Sequence, residues 1–288
     1  MRYSFTVSTK ILRNPLRYGI RHTLRRHEEG SSVLWGGEEF TDRLEDFFEK
    51  CEETPAEILE IWGLDHEEIA LVLERIGAGV KELTLLLQDG DTAPLSFCTS
   101  LTKLSLIYGG QTLELWDVTK NTALEILSVE ATDCTSLLGF ERLAGSGIRE
   151  LKLYSGGCSL LRPLAATVED LSPLTKMPNL AKLELHLARG EDPISQLRVL
   201  ATLTGLEELH LDEDAFSFAQ FCWLAAKLPQ VRGIGGISNF YPDRPRDTTM
   251  MKIDGWDVPD LDIDRENEIH ERYAREKAAQ AERDTPPQ

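Results

Sequence analysis

The strongest constraint in the sequence is a short pattern, apolar-x-x-apolar-x-apolar, that recurs between residues 80 and 236. Five of its six intervals measure 21 to 26 residues, and one measures 32. Alternate residues of a β-strand point to the same face, so positions 4 and 6 of each copy face one side, and position 1 turns inward beside them. One copy alone cannot bury such a row, so the pattern predicts a stack of short strands. Six good copies begin at Val80, Leu101, Leu124, Ile148, Leu180 and Leu206, and a weaker copy begins at Val231.

Repeats of this form and spacing resemble the leucine-rich-repeat family over roughly residues 80–236. The resemblance implies an α/β solenoid with one short parallel strand per repeat on a concave face and a helix or loop behind it. The family usually carries Asn or Cys about three residues past the strand. This chain departs from that rule, which predicts irregular loops and leaves the subclass open. The equivalent positions here are Gln88, Gly109, Thr132, Gly156, Ala188 and Asp214.

The residues ahead of the repeats predict helices. Thr54 to Glu57 match a capping box with proline in the first helical turn, and Asp65 with Glu68 opens a further helix through Ile76. Since the first repeat of a solenoid exposes an apolar face, we expect this segment to cap it. An earlier set of apolar residues falls on one helical face: Phe40, Leu44, Phe47, Phe48 and Cys51.

Part of this segment also resembles the core of an F-box, a family whose first helix starts with Pro-x-Glu-Ile-Leu. The match runs from Pro55 to Ile61 and continues at Leu64–Asp65. It departs from the family at Thr54, where leucine is usual, in the length near Trp62, and in lacking the Cys-x-x-Trp ending. The resemblance implies a substrate adaptor of a ubiquitin ligase. A well-capped amphipathic helix explains the same residues.

Charge divides the chain unevenly. The net charge is -18, yet the residues before Glu28 include seven Lys or Arg and no acid. An acidic body repels phosphate backbones, so we expect no nucleic-acid partner. A protein partner with a basic surface would be steered toward it. Solubility alone is the alternative explanation of the charge.

Composition also bears on location. No run of about 18 apolar residues occurs, so we expect no membrane span and no membrane partner. Five scattered cysteines without C-x-x-C spacing favour a reducing compartment, so we expect a cytoplasmic protein. The basic, acid-free N-terminus is typical of a mitochondrial presequence, which is the alternative. Against it, Tyr3, Phe5 and Val7 alternate like a strand, which favours a basic arm folded on the acidic cap.

We therefore expect four segments. They are a basic N-terminal arm (1–30), a helical cap (31–79), a leucine-rich-repeat solenoid (80–240), and a C-terminal cap segment with a charged tail (241–288). The 32-residue repeat predicts an insertion around Ser155 to Ala166. In the last segment, Met250 to Ile263 either seals the last repeat or docks elsewhere, and residues 264–283 predict a polar helix followed by a few disordered residues.

The candidate site lies in the last repeats, where outward positions 5 and 7 become charged. Equal register sets Glu184 beside His210, and His186 beside Asp212, because adjacent strands lie about 4.8 Å apart. Two imidazoles and two carboxylates suit either a metal or acid–base site, or surface contacts within a partner-binding patch. An open strand surface does not exclude water, which favours the patch. The predicted partner-binding residues are Tyr154, Glu184, His186, Glu207, Glu208, His210 and Asp212.

Motifs of enzyme chemistry are absent from the sequence. It contains no Walker loop, G-x-G-x-x-G, H-E-x-x-H or G-x-S-x-G, and Cys158 in the predicted insertion has no His or basic group at readable spacing. We therefore expect a non-catalytic protein-binding scaffold with no cofactor and no metal. Two other functions stay open: the ubiquitin-ligase adaptor, and an inhibitor or immunity protein that neutralises a basic enzyme or toxin. The oligomeric state is undetermined.

Overall fold

A computed structural model defines the fold. It describes residues 2–12, 17–27, 39–41, 43–131, 134–155, 168, 170–186, 192–211, 215–234, 251–253, 256–258 and 263–287.

Short strands and a few helices alternate along the chain. The strands are β1 (Arg2–Leu12), β2 (Arg17–His27), β3 (Glu39–Thr41), β4 (Ile58–Trp62), β5 (Glu82–Leu87), β6 (Lys103–Tyr108), β7 (Thr112–Glu114), β8 (Ile126–Ala131), β9 (Ser136–Leu138), β10 (Glu150–Ser155), β11 (Lys182–His186), β12 (Glu208–Leu211), β13 (Met251–Ile253) and β14 (Trp256–Val258). The described α-helices are α1 (Leu44–Glu53), α2 (His66–Ile76), α3 (Pro193–Ala201), α4 (Phe218–Lys227) and α5 (Ile263–Ala281). Single 3₁₀ turns lie at Gly77–Gly79, Ala93–Phe97, Val118–Lys120, Phe140–Leu143 and Ser172–Lys176.

One ten-stranded sheet organises the molecule, in the order β12-β11-β10-β8-β6-β5-β4-β2-β1-β3. All pairs from β2 to β12 are parallel, while β1 runs antiparallel to both β2 and β3. The α/β class with a large parallel sheet is therefore confirmed. Each good copy of the repeat supplies one strand of it, and Arg232 of the weak copy forms an isolated parallel bridge to Glu208.

The repeated apolar positions face one core. Leu104 pairs with Leu83 on one side and Leu127 on the other, and the same zero-shift register runs through the later strands. Position 4 is at most 1% exposed in every good copy, and position 1 is at most 6% exposed. Burying one leucine stabilises the fold by about 1.5–3 kcal/mol, so each row adds far more than strand propensity. The position-4 row comprises Leu83, Leu104, Leu127, Leu151, Leu183 and Leu209.

The prediction of a helix that begins at Thr54–Pro55 is wrong. Residues 58–62 form β4, where Leu59 and Ile61 pair in register with Leu83 and Leu85 and are fully buried. The residues from Ala56 to Ile61 are themselves a copy of the repeat, 24 residues ahead of Val80, so burial in the shared core outweighs a local capping box. The residues that resemble the start of an F-box thus lie in a strand, where that resemblance expects a helix.

The other two predicted helices of this segment are present. In α1, Phe47, Phe48 and Cys51 are buried, while Phe40 lies in β3 instead. The predicted capping box opens α2, since the Asp65 carboxylate accepts from the backbone N–H of Glu68 and the Glu68 carboxylate accepts from that of Asp65. The helical prediction therefore holds for α1 and α2 and fails between them.

The basic N-terminal residues form an antiparallel hairpin, β1–β2, that extends the sheet beyond β4. Arg26 lies 2.8 Å from an oxygen of Asp65 and 3.0 Å from one of Glu68, and the Tyr3 hydroxyl donates to Glu68 at 2.6 Å. The expected contact between the basic N-terminus and the acidic cap is therefore present.

The polar helix predicted at residues 264–283 is present as α5 and lies against α4. The rings of Tyr273 and Phe218 meet edge to face at 6.3 Å, and the indole N–H of Trp223 donates to the carbonyl of Arg283 at 3.1 Å. Gln220 donates to the carbonyl of Pro287, so the final residues predicted to be disordered are ordered through residue 287. They help to cover the last repeat.

Two predictions fall largely outside the described residues. Of the segment from Met250 to Ile263, the structure describes only the β13–β14 hairpin and Ile263, so its sealing role stays a prediction. The predicted insertion after Ser155, with Cys158, lies in residues that the structure does not describe.

A buried asparagine links two neighbouring turns of the core. Asn121 is 2% exposed, and its amide donates to the carbonyls of Leu95 and Cys98 at 3.0 and 2.8 Å. Its oxygen accepts the indole N–H of Trp116 at 2.6 Å. One side chain thus makes three buried hydrogen bonds between two neighbouring turns.

We predict that Asn121→Ala lowers the free energy of unfolding by about 2–4 kcal/mol, because it removes three buried hydrogen bonds and leaves the indole N–H of Trp116 without its acceptor in the core. Urea unfolding followed by circular dichroism measures this. The matched control is Asn179→Ala, at an exposed turn, which should change stability by less than about 0.5 kcal/mol. Equal effects of the two variants would contradict the proposed role.

Candidate functional site

The side of the sheet opposite the leucine rows presents positions 3, 5 and 7 of each repeat; we call it the open face. Its described side chains are half-buried, apart from Glu130, which is exposed. Because the register is unshifted, equal positions form straight rows across the strands. Position 5 comprises Thr84, Ser105, Ser128, Lys152, Glu184 and His210. Position 7 comprises Leu86, Ile107, Glu130, Tyr154 and His186.

Glu184 holds together the most elaborate cluster of this face. One of its oxygens lies 3.3 Å from Nε2 of His186, and the other lies 3.6 Å from Nζ of Lys152. The Tyr154 hydroxyl is also hydrogen-bonded to this carboxylate. The Tyr154 and His186 rings stack with centroids 4.9 Å apart and planes within 10° of parallel. A single carboxylate therefore fixes two stacked rings.

The electrostatics follow from these contacts. The hydrogen bond from His186 is the largest cause that lowers the pKa of Glu184 to about 2. The hydrogen bond from Tyr154 and the charge of Lys152 lower it further, while burial acts in the opposite direction. Burial, and then the hydrogen bond to Glu184, raise the pKa of Tyr154 above its ordinary value of 10.0. Tyr154 therefore stays a neutral hydrogen-bond donor and Glu184 a charged acceptor at neutral pH.

The same arrangement recurs one strand further along. Glu208 lies 2.8 Å from Nε2 of His210 and 3.4 Å from Nζ of Lys182. The hydrogen bond from His210 is the main cause that lowers the pKa of Glu208. The last repeats thus carry two Lys–Glu–His groups, each built from one strand and a lysine of the strand before it.

The predicted register is confirmed, but the predicted side-chain pairs are partly wrong. Glu184 and His210 are cross-strand neighbours, as expected. Each imidazole, however, contacts the carboxylate two residues earlier in its own strand. The lysine of the preceding strand contacts the same carboxylate, so each carboxylate lies between a lysine and an imidazole. Asp212 lies outside the described residues, so its pairing with His186 stays a prediction.

Three further residues bear on the prediction of the site. Glu207 is exposed just ahead of β12 and belongs to neither Lys–Glu–His group. Lys152 and Lys182 were missed, although they occupy positions 5 and 3 of the same rows. The sequence signal that would have found them is the zero-shift register applied to all outward positions, rather than to the histidines alone.

Other features of the described residues give little chemistry. No group of three or more His, Cys, Asp or Glu side chains among them is placed to hold a metal ion. Burial raises the pKa of the Cys51 and Cys98 thiols to about 12. A groove of about 450 Å³ between the loops after β5 and β7 is lined by charges of both signs, among them Arg142 and Glu114, which lie 2.6 Å apart.

No family model, curated protein or solved structure matches this chain. Within the part that the structure describes, none of the helices has the length and apolar character needed to cross a bilayer. The open face, defined by its own geometry, is therefore the feature on which a function can be argued.

We predict that Glu184→Gln lowers the free energy of unfolding at pH 7 by about 1–2 kcal/mol, because it removes charge-assisted hydrogen bonds to a largely buried group. The pKa of Glu184 is about 2 in the folded protein and ordinarily 4.5. Its contribution is therefore fully present above pH 4.5 and is lost as the pH falls toward 2. Urea unfolding between pH 7 and 3 should show the deficit of the variant shrink below pH 4.5.

The matched control is Glu141→Gln, since Glu141 is 73% exposed and 4.0 Å from its nearest basic nitrogen. Its effect should stay below about 0.5 kcal/mol at every pH. A deficit of Glu184→Gln that does not shrink in acid would show that the carboxylate charge is not what stabilises the cluster.

Proposed function

We propose that this chain is a non-catalytic protein-binding module, and that a partner protein with a basic surface docks on the open face. We further infer that the fold is a leucine-rich-repeat solenoid whose binding face is the open face. The buried position 1 that precedes each repeat strand supports the repeat assignment.

The observation that carries the proposal is the unbroken alignment of outward side chains over β5, β6, β8, β10, β11 and β12. Small residues occupy position 5 of β5, β6 and β8, and ordered, hydrogen-bonded groups occupy the later strands. Pre-ordered side chains lose little conformational entropy when a partner binds, which favours association. An open, water-accessible surface of this kind suits binding better than chemistry.

The charges of this region favour a basic partner. Lys152 and Lys182 are both engaged by carboxylates of the face. Glu130 and Glu207 are exposed, and among the described residues no cation lies within ion-pair distance of either. These two carboxylates keep their charge available, so they would attract a basic surface and raise its association rate.

We predict that Ser128→Arg abolishes partner capture, because Ser128 is half-buried at the centre of the face and a long cationic side chain there obstructs docking and repels a basic surface. The full chain and the variant serve as bait for the proteins of the native cell, with quantitative mass spectrometry. A captured partner should then be purified, and its binding to the variant should be weaker by about tenfold or more.

The matched control is Ser100→Arg, the same change at an exposed turn outside the face, which should bind like wild type. In the purified pair, Glu207→Lys should weaken binding and reduce its salt dependence. Hydrogen exchange should show protection of β8 to β12 in the complex. A partner that binds Ser128→Arg normally, or that protects only other elements, would refute the proposal.

A further inference from the structure

The Tyr154 ring has one face covered by His186 and a second face that is turned away from it. His186 of β11 stacks on one face of this ring at a centroid distance of 4.9 Å, close to the spacing of about 4.8 Å between neighbouring strands. A ring that stacks on a ring of the next strand has its plane along the strand direction, so its second face is turned toward the opposite neighbour, β8. Glu184 holds both rings in place through the hydrogen bonds described above.

The residue opposite that second face is Glu130, the direct cross-strand neighbour of Tyr154. On its other side, Glu130 neighbours Ile107. Among the described residues of the position-7 row it is the exposed carboxylate, and its negative charge helps to raise the pKa of Tyr154. No cation of the described residues pairs with it. An aromatic face and an unneutralised carboxylate therefore meet across one strand interval, beside an apolar side chain.

We propose that this slot binds an arginine side chain of the partner, an inference that rests on the function proposed above. A guanidinium is flat and stacks on aromatic faces, so it would form a third layer on the Tyr154–His186 pair. Its fork of N–H donors matches a carboxylate with two parallel hydrogen bonds, which Glu130 supplies. A lysine ammonium is a compact point charge that cannot make both contacts in this way.

The test uses the full chain labelled with ¹⁵N and two small probes, N-acetyl-arginine amide and N-acetyl-lysine amide. Titration with the arginine probe should shift the amide signals of Glu130, Tyr154 and His186 along saturable curves, with a Kd of about 1–10 mM. The lysine probe should bind about threefold more weakly or worse. Glu130→Gln and Tyr154→Leu should each remove the saturable response, whereas Glu141→Gln should keep it.

Several outcomes overturn the inference. They are equal binding of the two probes, shifts that stay linear throughout the titration, and an unchanged response of Glu130→Gln. The spectra of the variants without probe report whether they are folded. If Ser128→Arg abolishes partner capture but the arginine probe does not bind, the docking face stands and only the arginine slot is refuted. If the probe binds while the captured partner ignores Ser128→Arg, the proposed function fails and the slot remains.

Discussion

The buried leucine rows and their zero-shift register are the constraint on which the rest of the structure depends. Each strand contributes equal positions to the core, although the repeats differ in length from 21 to 32 residues. A slip of one residue would turn every leucine of a strand to the open face, so burial permits only one register. The loops between strands absorb the differences in length. Straight rows of outward side chains are a consequence of this inner packing.

The sequence was sufficient wherever burial and local signals agreed. The six repeat strands, the capping box at Asp65 and the polar helix α5 all followed from pattern. It failed where they disagreed. At Thr54–Pro55 a good capping box overlaps a repeat copy that begins with alanine, and burial in the shared core makes residues 58–62 a strand rather than a helix. In β2, the position equivalent to Leu59 is His22, a buried residue whose pKa burial lowers, and no apolar pattern reveals such a member.

The site was predictable in its rows but not in its contacts. Register alone placed Glu184 beside His210, and the structure confirms that neighbourhood. Which groups touch depends on side-chain torsions and on all the charges nearby, and here Lys152 and Lys182 share the two carboxylates with the histidines. The Tyr154–His186 stack follows from strand spacing, since two flat rings at equal positions of adjacent strands meet at close to stacking distance.

Four carboxylates, three on the open face and Glu207 just ahead of β12, divide into two kinds with different consequences. Glu184 and Glu208 have their charge engaged within the fold, so their removal should weaken the structure and affect binding mainly through the rings and histidines that they hold. Among the described residues, no cation lies within ion-pair distance of the Glu130 or Glu207 carboxylate, and a surface charge without a partner is usually neutral for stability. The charge of these two carboxylates repels an acidic surface that approaches the open face and attracts a basic one. The recognition of a basic partner that we propose relies on both kinds: the engaged carboxylates hold a rigid aromatic surface, and Glu130 and Glu207 attract the partner's charge.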